Sequence, residues 1–368
     1  MPGPFLRIEM LPALQGDALW IEYGTPEDTR RILIDGGPIG AYNAVEEKLK
    51  KLPDGDKGVE LVVISHVDTD HIEGIIRLMA TQRGQWPFSP KDIWFNGWDH
   101  LVQTGVLGGR EGDFLSALIS KRASDVWNKA FDGKVIAVQP DQQPPTKELS
   151  GGMKITLLSP SPEKLKAMGT KWRKDVEKYQ LEPGDLDAAW EQLVDMKKYK
   201  VAKGVLGGTD ELTKTLTKQL KTDQSAANGT SIALLAEYAG KSCLFLADAQ
   251  WNVVCDSIKK IIPSGQERLK VDAVKVSHHG SKNNMSKKLM DLIDAKHFLV
   301  STDGSMGHNH PDKPAIQAIL QWSVRKPTLW FNYKSKYNAV WAKTPKKGGR
   351  DYTACYPFEG SVGIAVEI

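Results

Sequence analysis

The sequence predicts an α/β fold in which mixed β-sheets are covered on the outside by helices. Two observations carry this. Short apolar runs of strand length alternate with segments of helical period along most of the 368 residues, the pattern of sheets wrapped by helices. Four of the apolar runs, at 61–64, 243–247, 274–277 and 298–301, lead into His- or Asp-bearing segments. Polar chemistry therefore collects where buried strands end.

The elements follow in order. Residues 5–10, 18–23 and 31–34 read as strands, the last closing in the tight turn Asp35-Gly36-Gly37-Pro38. A helix is predicted over 44–51, a strand over 61–64, a helix over 72–79, and a strand over 92–95 that ends in Asn96-Gly97. From about 105 to 227 the character changes. A short strand pair near 135–138 and 153–158 precedes a lysine-rich segment, 163–221, of helical period that carries Trp172, Tyr179, Trp190 and Tyr199. This stretch reads as a helical insertion or lid within one domain spanning 1–368. Its basic and aromatic mix resembles a polyanion groove, but charges on the solvated faces of packed helices explain it better, because acidic residues are interspersed throughout. Strands resume at 230–238 and 242–247 across the hairpin turn Ala239-Gly240-Lys241, and continue at 273–277, 297–301 and 328–332. A basic, glycine-containing loop at 343–350 precedes the final strand, 363–368.

Composition narrows the class. With 49 basic and 45 acidic residues the net charge is +4, so nucleic-acid binding would rest on a local patch and not on bulk charge. Cys243, Cys255 and Cys355 are an odd number at scattered spacings, the usage of reduced thiols in a cytosolic protein. The N-terminal segment lacks a basic stretch followed by a long apolar one, and no run of about 18 apolar residues occurs. The expectation is a cytoplasmic protein without membrane insertion.

The densest chemical signal is S-H-V-D-T-D-H-I-E-G at 65–74. Imidazole nitrogens and carboxylate oxygens are the usual ligands of a hydrolytic divalent ion, and a pair of ions about 3.5–4 Å apart needs ligands converging from two directions. His66 and Asp68 leave the strand at i and i+2 and suit one ion; Asp70 and His71, where the chain turns into a helix, suit a second. A helix cap would use Thr69 or Asp70 but has no need of flanking histidines. Further along, one apolar run terminates in Asp248, placed as a bridging carboxylate or as an N-cap; a second leads into His278-His279-Gly280-Ser281; a third is followed by Gly307-His308-Asn309-His310-Pro311. Six of the eight histidines lie in the three post-strand segments 65–74, 278–281 and 307–311.

The ordered set L-I-D-G-G (33–37), S-H-x-D-x-D-H (65–71), N-x-x-S (228–231), the strand ending in Asp248, H-H-G-S (278–281) and H-P (310–311) resembles the metallo-β-lactamase superfamily. Within it the chain looks most like the branch of ComEC-type hydrolase domains and bacterial phosphorylcholine esterases. The resemblance spans nearly the whole chain outside the insertion. It implies an αββα sandwich of two mixed β-sheets flanked by helices, with the metals in a cleft at one sheet edge. It also implies ligand roles: His66 and Asp68 for the first metal, Asp70 and His71 for the second, Asp248 as the bridging carboxylate and His310 as the last histidine of the second group. Asp35 would stand behind the ligands and orient one of them. One histidine of the 278–279 pair, taken as His279, would face the substrate as an acid or charge stabiliser, so His278, His279 and Asp70 are the catalytic candidates. Two departures matter: Asp68 replaces the commoner histidine, and Asn228, a poor ligand, falls where the first metal's third histidine is expected. Oxygen donors harden that group and tilt it from Zn²⁺ toward Mn²⁺, Fe²⁺ or Mg²⁺. Two divalent ions, Zn or Mn, are expected.

Three carboxylates against two divalent cations leave about one net positive charge, which suits an anionic substrate. The leading expectation is a two-metal phosphodiesterase or nuclease acting on DNA, RNA or a nucleotide. The alternatives are a carbonyl-ester hydrolase of lactonase, thioesterase or β-lactamase type, and a non-catalytic module that binds nucleic acid or a partner.

Overall fold

The computed structural model describes residues 3–98, 100, 110–179, 181–201, 225–307, 309–343 and 350–368. Strands β1 (Phe5–Met10), β2 (Leu19–Thr25) and β3 (Asp28–Ile34) form an antiparallel meander, to which β5 (Leu61–Val63) and β7 (Ile93–Trp94) add in parallel. The last strand, β18 (Ile364–Glu367), returns beside β1 and completes a six-stranded sheet of order β18-β1-β2-β3-β5-β7. The second sheet has eight strands. In it β8 (Thr146–Leu149), β9 (Met153–Ser159), β10 (Ala233–Tyr238) and β11 (Lys241–Phe245) run antiparallel, and β13 (Ala273–Lys275), β15 (His297–Val300), β16 (Thr328–Phe331) and β17 (Thr353–Cys355) continue from β11 in parallel. Two short pairs, β4 (Gly58–Val59) with β6 (Ser89–Pro90) and β12 (Leu269–Lys270) with β14 (Ile293–Asp294), stand apart from these sheets.

Alternation along the strands separates the layers. Leu6, Ile8, Ile32, Ile34, Leu61 and Val63 of the first sheet pack with Ile155, Leu157, Leu234 and Phe245 of the second, and this apolar slab lies between the sheets. Side chains of opposite parity, Trp20, Leu33 and Val62, face helices α1 (Tyr42–Lys50), α2 (Thr69–Met79) and α3 (Arg110–Ala123). On the far side Leu235, Leu244, Val274 and Phe298 face α7 (Trp251–Ile261), α8 (Lys287–Leu292) and α9 (Lys313–Trp322). The order of layers is helix, sheet, sheet, helix, as expected.

Several local expectations need correction. Residues 135–138 form no strand; the Asn96 side chain accepts from Ile136 N at 2.8 Å and donates to Ile136 O at 2.8 Å, so one amide takes the place of a strand neighbour. Within residues 105–227, α3 joins the main core, and β8 and β9 extend the second sheet. The later helices of this stretch are α4 (Pro162–Glu177), α5 (Leu186–Asp195) and the single turn α6 (Ala226–Gly229). Trp172 and Tyr199 are buried against the core, so these aromatics pack and do not line an open groove. Residues 105–109 and 202–224 of that stretch lie outside the described residues. Strand β17, a short and half-exposed edge, was not foreseen. Among the described residues no helix is long and apolar enough to cross a membrane.

Candidate metal centre

Parallel strands β5, β11, β13 and β15 end on the same side, and the loops leaving β5, β11 and β13 carry the chemistry. Beyond β5 the chain enters α2 with Asp68 at the N-cap position, yet its side chain makes no capping bond. The Asp68 carboxylate is therefore left for other work. Beyond β11, the N-cap position of α7 is Gln250 and not Asp248, which removes the capping explanation for that residue too. Beyond β13, Ser277–Gly280 forms a tight turn in which His278 and His279 both have positive φ, 48° and 53°. Two consecutive non-glycine residues in the left-handed region are costly and are typical of sites where geometry is imposed for function. Gly280 continues the turn at φ 83°, and a Cβ there would stand 2.8 Å from Pro311 Cβ, so glycine is what lets the 310–311 loop approach.

These loops bring together two groups of ligand atoms that share Asp248. On one side, Asp248 Oδ2 lies 3.9 Å from His66 Nε2 and 3.6 Å from His278 Nε2, with Asp68 Oδ2 3.6 Å from His66 Nε2. On the other, Asp248 Oδ1 lies 3.5 Å from His71 Nε2 and 3.7 Å from His279 Nε2, while Asp70 Oδ2 is 3.9 Å and 3.4 Å from the same two nitrogens. Ligands about 2.0–2.2 Å from a tetrahedral ion stand about 3.3–3.6 Å from one another, close to these separations. The Nε2 atoms of His66, His71 and His279 and Oδ1 of Asp248 are buried without a hydrogen-bond partner among the described residues. Burying four convergent lone-pair atoms unsatisfied is expensive unless a cation completes them. The donor set therefore fits divalent metal.

The opposite ring nitrogens are held in place. His71 Nδ1 pairs with Asp35 Oδ2 at 2.8 Å, and Asp35 also accepts from Ser65 N and Ser65 Oγ at 2.7 Å each. His66 Nδ1 meets Ser65 Oγ at 3.0 Å, and His279 Nδ1 meets the Ser301 carbonyl at 2.9 Å. Each contact directs the Nε2 lone pair into the centre. Asp35 thus stands behind His71, against the ring nitrogen that faces away from the centre.

Electrostatics agree. Burial would lower His71 and His279, but Asp248 and the carboxylates around it outweigh burial; His71 rises well above the usual imidazole range and His279 is pushed up to about 10. Burial would raise Asp70 and Asp248, yet the histidines hold both below the usual carboxylate range. Three carboxylates crowd a buried space and draw in positive charge.

The structure rearranges three sequence expectations. His279, taken as substrate-facing, is fully buried with Nε2 among Asp70, His71 and Asp248. His310, taken as the last histidine of the second group, lies on the other side: its ring is 5.4 Å from His278, its side chain is partly exposed, and Nδ1 is 3.8 Å from Asp312. The exchange follows from the left-handed turn, which swings the second histidine of the pair inward. Asn228 contacts His278 Nδ1 at 3.3 Å, a placement for orienting that ring. His308 lies outside the described residues.

Sequence reasoning passed over Asp17 and Lys275. Lys275 Nζ binds Asp17 Oδ2 at 2.5 Å, both are buried, and Asp17 Oδ1 is 3.5 Å from His279 Nδ1. Asp17, His71, Asp248 and His279 form a buried group with metal-type donors, but Asp17 addresses the outer edge of the His279 ring and its second oxygen is taken by Lys275. It supports the centre from behind. Gly16 makes this possible, since a Cβ there would stand 1.8 Å from the Asp70 carbonyl oxygen. The signal was a lysine inside the apolar run before His278, which a buried strand tolerates only with a partner.

Two facing mixed sheets with outer helices, and a His and Asp cluster gathered at the strand ends in this chain order, define a metallo-β-lactamase fold. No protein-family model matches the chain. In sequence it is similar to ComE operon protein 3 of Bacillus subtilis (strain 168), 24% identical over 120 residues, which are 31% of this chain and 15% of that protein; the match spans well under two thirds of the relative. Among solved structures it is similar to the metallo-beta-lactamase fold protein YhfI from Bacillus subtilis, at 13% identity and TM-score 0.41 with all of both chains covered. It is also similar to Zn²⁺-bound PqqB from Methylobacterium extorquens, at 12% identity and TM-score 0.37 over 96% of this chain and 88% of that one.

Proposed function

We propose that the chain is a metal-dependent hydrolase that cleaves phosphodiesters, with two divalent ions, Mn²⁺ or Zn²⁺, held around Asp248. The observation that carries this reading is the pair of ligand groups meeting at the two oxygens of one buried carboxylate. His66, Asp68 and His278 would hold one ion and Asp70, His71 and His279 the other. Bound there, the ions would acidify water and offset charge on a phosphoryl oxygen. The protein's own residues do the rest. Asp35, Ser65 and the Ser301 carbonyl fix the imidazole orientations, and the buried setting strengthens every charge interaction within it. His310, partly exposed beside His278 and backed by Asp312, is placed to give a proton to a leaving alkoxide. Asp68, Asp70 and Asp248 against two dications leave a net positive centre, which favours an anionic diester over a neutral lactone or thioester.

The test is turnover of bis-p-nitrophenyl phosphate, a lactone and nitrocefin by purified protein loaded with each divalent ion in turn. Phosphodiester cleavage alone is expected. Preferential opening of the lactone or nitrocefin would replace this reading with carbonyl chemistry, and protein that takes up no metal would replace it with a binding module.

A further inference from the structure

Beside the metal centre lies a cavity of about 560 Å³, lined by Lys164, Gly229, Gln250, Trp251, Asn252, Asn283 and Asn284 among others. It shares a wall with the centre. Asn284 Nδ2 donates to the carbonyls of Asp248 and Ala249 at 3.3 and 3.2 Å, and Gly229 follows Asn228, whose amide touches His278. A substrate held over Asp248 would have this space beside it.

The lining is selective. Among the described residues it contains no carboxylate, four amide side chains, one indole and one ammonium. Asn284 is 1% exposed, and its Oδ1 has no hydrogen-bond partner among the described residues; an acceptor buried in a polar wall marks a place for a ligand's donor. Trp251 opens α7, whose first turn has no acidic residue and no side-chain cap, so the helix end and Lys164 favour a phosphate. An acyl chain would leave the amides unpaired. A quaternary amine would meet a lysine and no carboxylate. A planar heterocycle with hydrogen-bonding edges and an attached phosphate satisfies indole, amides and cation together.

We propose that this cavity binds the nucleobase of the nucleotide next to the scissile phosphodiester, with that base stacked on Trp251 and its edge read by Asn284 and its neighbouring amides. The proposal rests on the phosphodiesterase reading and narrows its substrate to nucleic acid or a dinucleotide.

Two measurements on the full chain separate the two claims. Binding of the dinucleotide pdTpdT and of its abasic analogue is measured by calorimetry in EDTA, where no turnover occurs. The dinucleotide is expected to bind at least about tenfold more tightly than the abasic form, Trp251→Ala to erase that difference and Trp251→Phe to keep most of it. Equal binding of the two ligands, no binding of either, or a difference that survives Trp251→Ala overturns the subsite. Turnover of bis-p-nitrophenyl phosphate by the metal-loaded protein is followed separately. Its absence in the unmodified chain would sink the phosphodiesterase reading while the calorimetry still decides the cavity.

Discussion

Asp248 faces both ligand groups, one through each oxygen, so its removal should disturb both groups together. Asp248→Ala is expected to abolish turnover and to lower bound metal toward zero by elemental analysis; retention of full turnover would refute the bridging assignment. His310 calls for a subtler assay. A proton donor matters when the leaving group is a poor one, so His310→Gln should slow cleavage of an alkyl diester by about 10²-fold or more and leave a p-nitrophenyl diester nearly unaffected. Equal losses on both substrates would point to a positional role. The Lys275–Asp17 pair belongs to stability. Burial would raise the Asp17 carboxyl, but Lys275 holds it below its usual range. Removing one partner from a buried pair strands a charge, so Lys275→Met should cost about 3–5 kcal/mol in urea unfolding, and Lys275→Met with Asp17→Asn should recover part of it. A loss under 1 kcal/mol for the single variant would show that water reaches the pair.

At the level of elements, the ligand-bearing turns were legible because strand-to-helix loops leave a local signature: an apolar run, then His and Asp. The side each histidine takes was not, because it depends on φ at His278 and His279, and no residue type there announces a left-handed turn. Adjacent Gly280 was the available hint, since a glycine permits the close approach of Pro311. Gly280→Ala carries the consequence. The added Cβ meets Pro311 in a backbone region that disfavours alanine, so the turn should relax and displace His279. Metal affinity at the second group is expected to fall by about tenfold or more with the fold intact by circular dichroism. Unchanged affinity would mean that the turn is held by other contacts.

At the scale of the whole molecule, the layered α/β architecture was readable from run lengths and turns, whereas the place of α3, β8 and β9 was not. Charged, lysine-rich surroundings look like an appendage when only composition is seen, and the pairing of β9 with β10 is a long-range event invisible to local pattern. The centre has the same long-range character. His66, Asp70 and His71 follow the first sheet, and Asp248, His278 and His279 follow the second, so metal bound between them joins the two halves of the sandwich. Metal should then stabilise the entire fold. At a free concentration of about 100 to 1,000 times Kd the gain is about 2.7–4.1 kcal/mol, and chelation should lower the midpoint of one cooperative thermal transition by several degrees. The effect has a pH sign. His71 and His279 are raised in the metal-free protein, the latter to about 10, and protonated Nε2 atoms cannot ligate. Metal must displace those protons, so affinity and the thermal gain should rise from pH 6 toward pH 10. Calorimetry at pH 8 in two buffers of different ionisation enthalpy should therefore report proton release on metal uptake. Uptake without proton release, or a chelator effect confined to a minor early transition, would show that the histidines are already neutral or that the metal does not bridge the sheets.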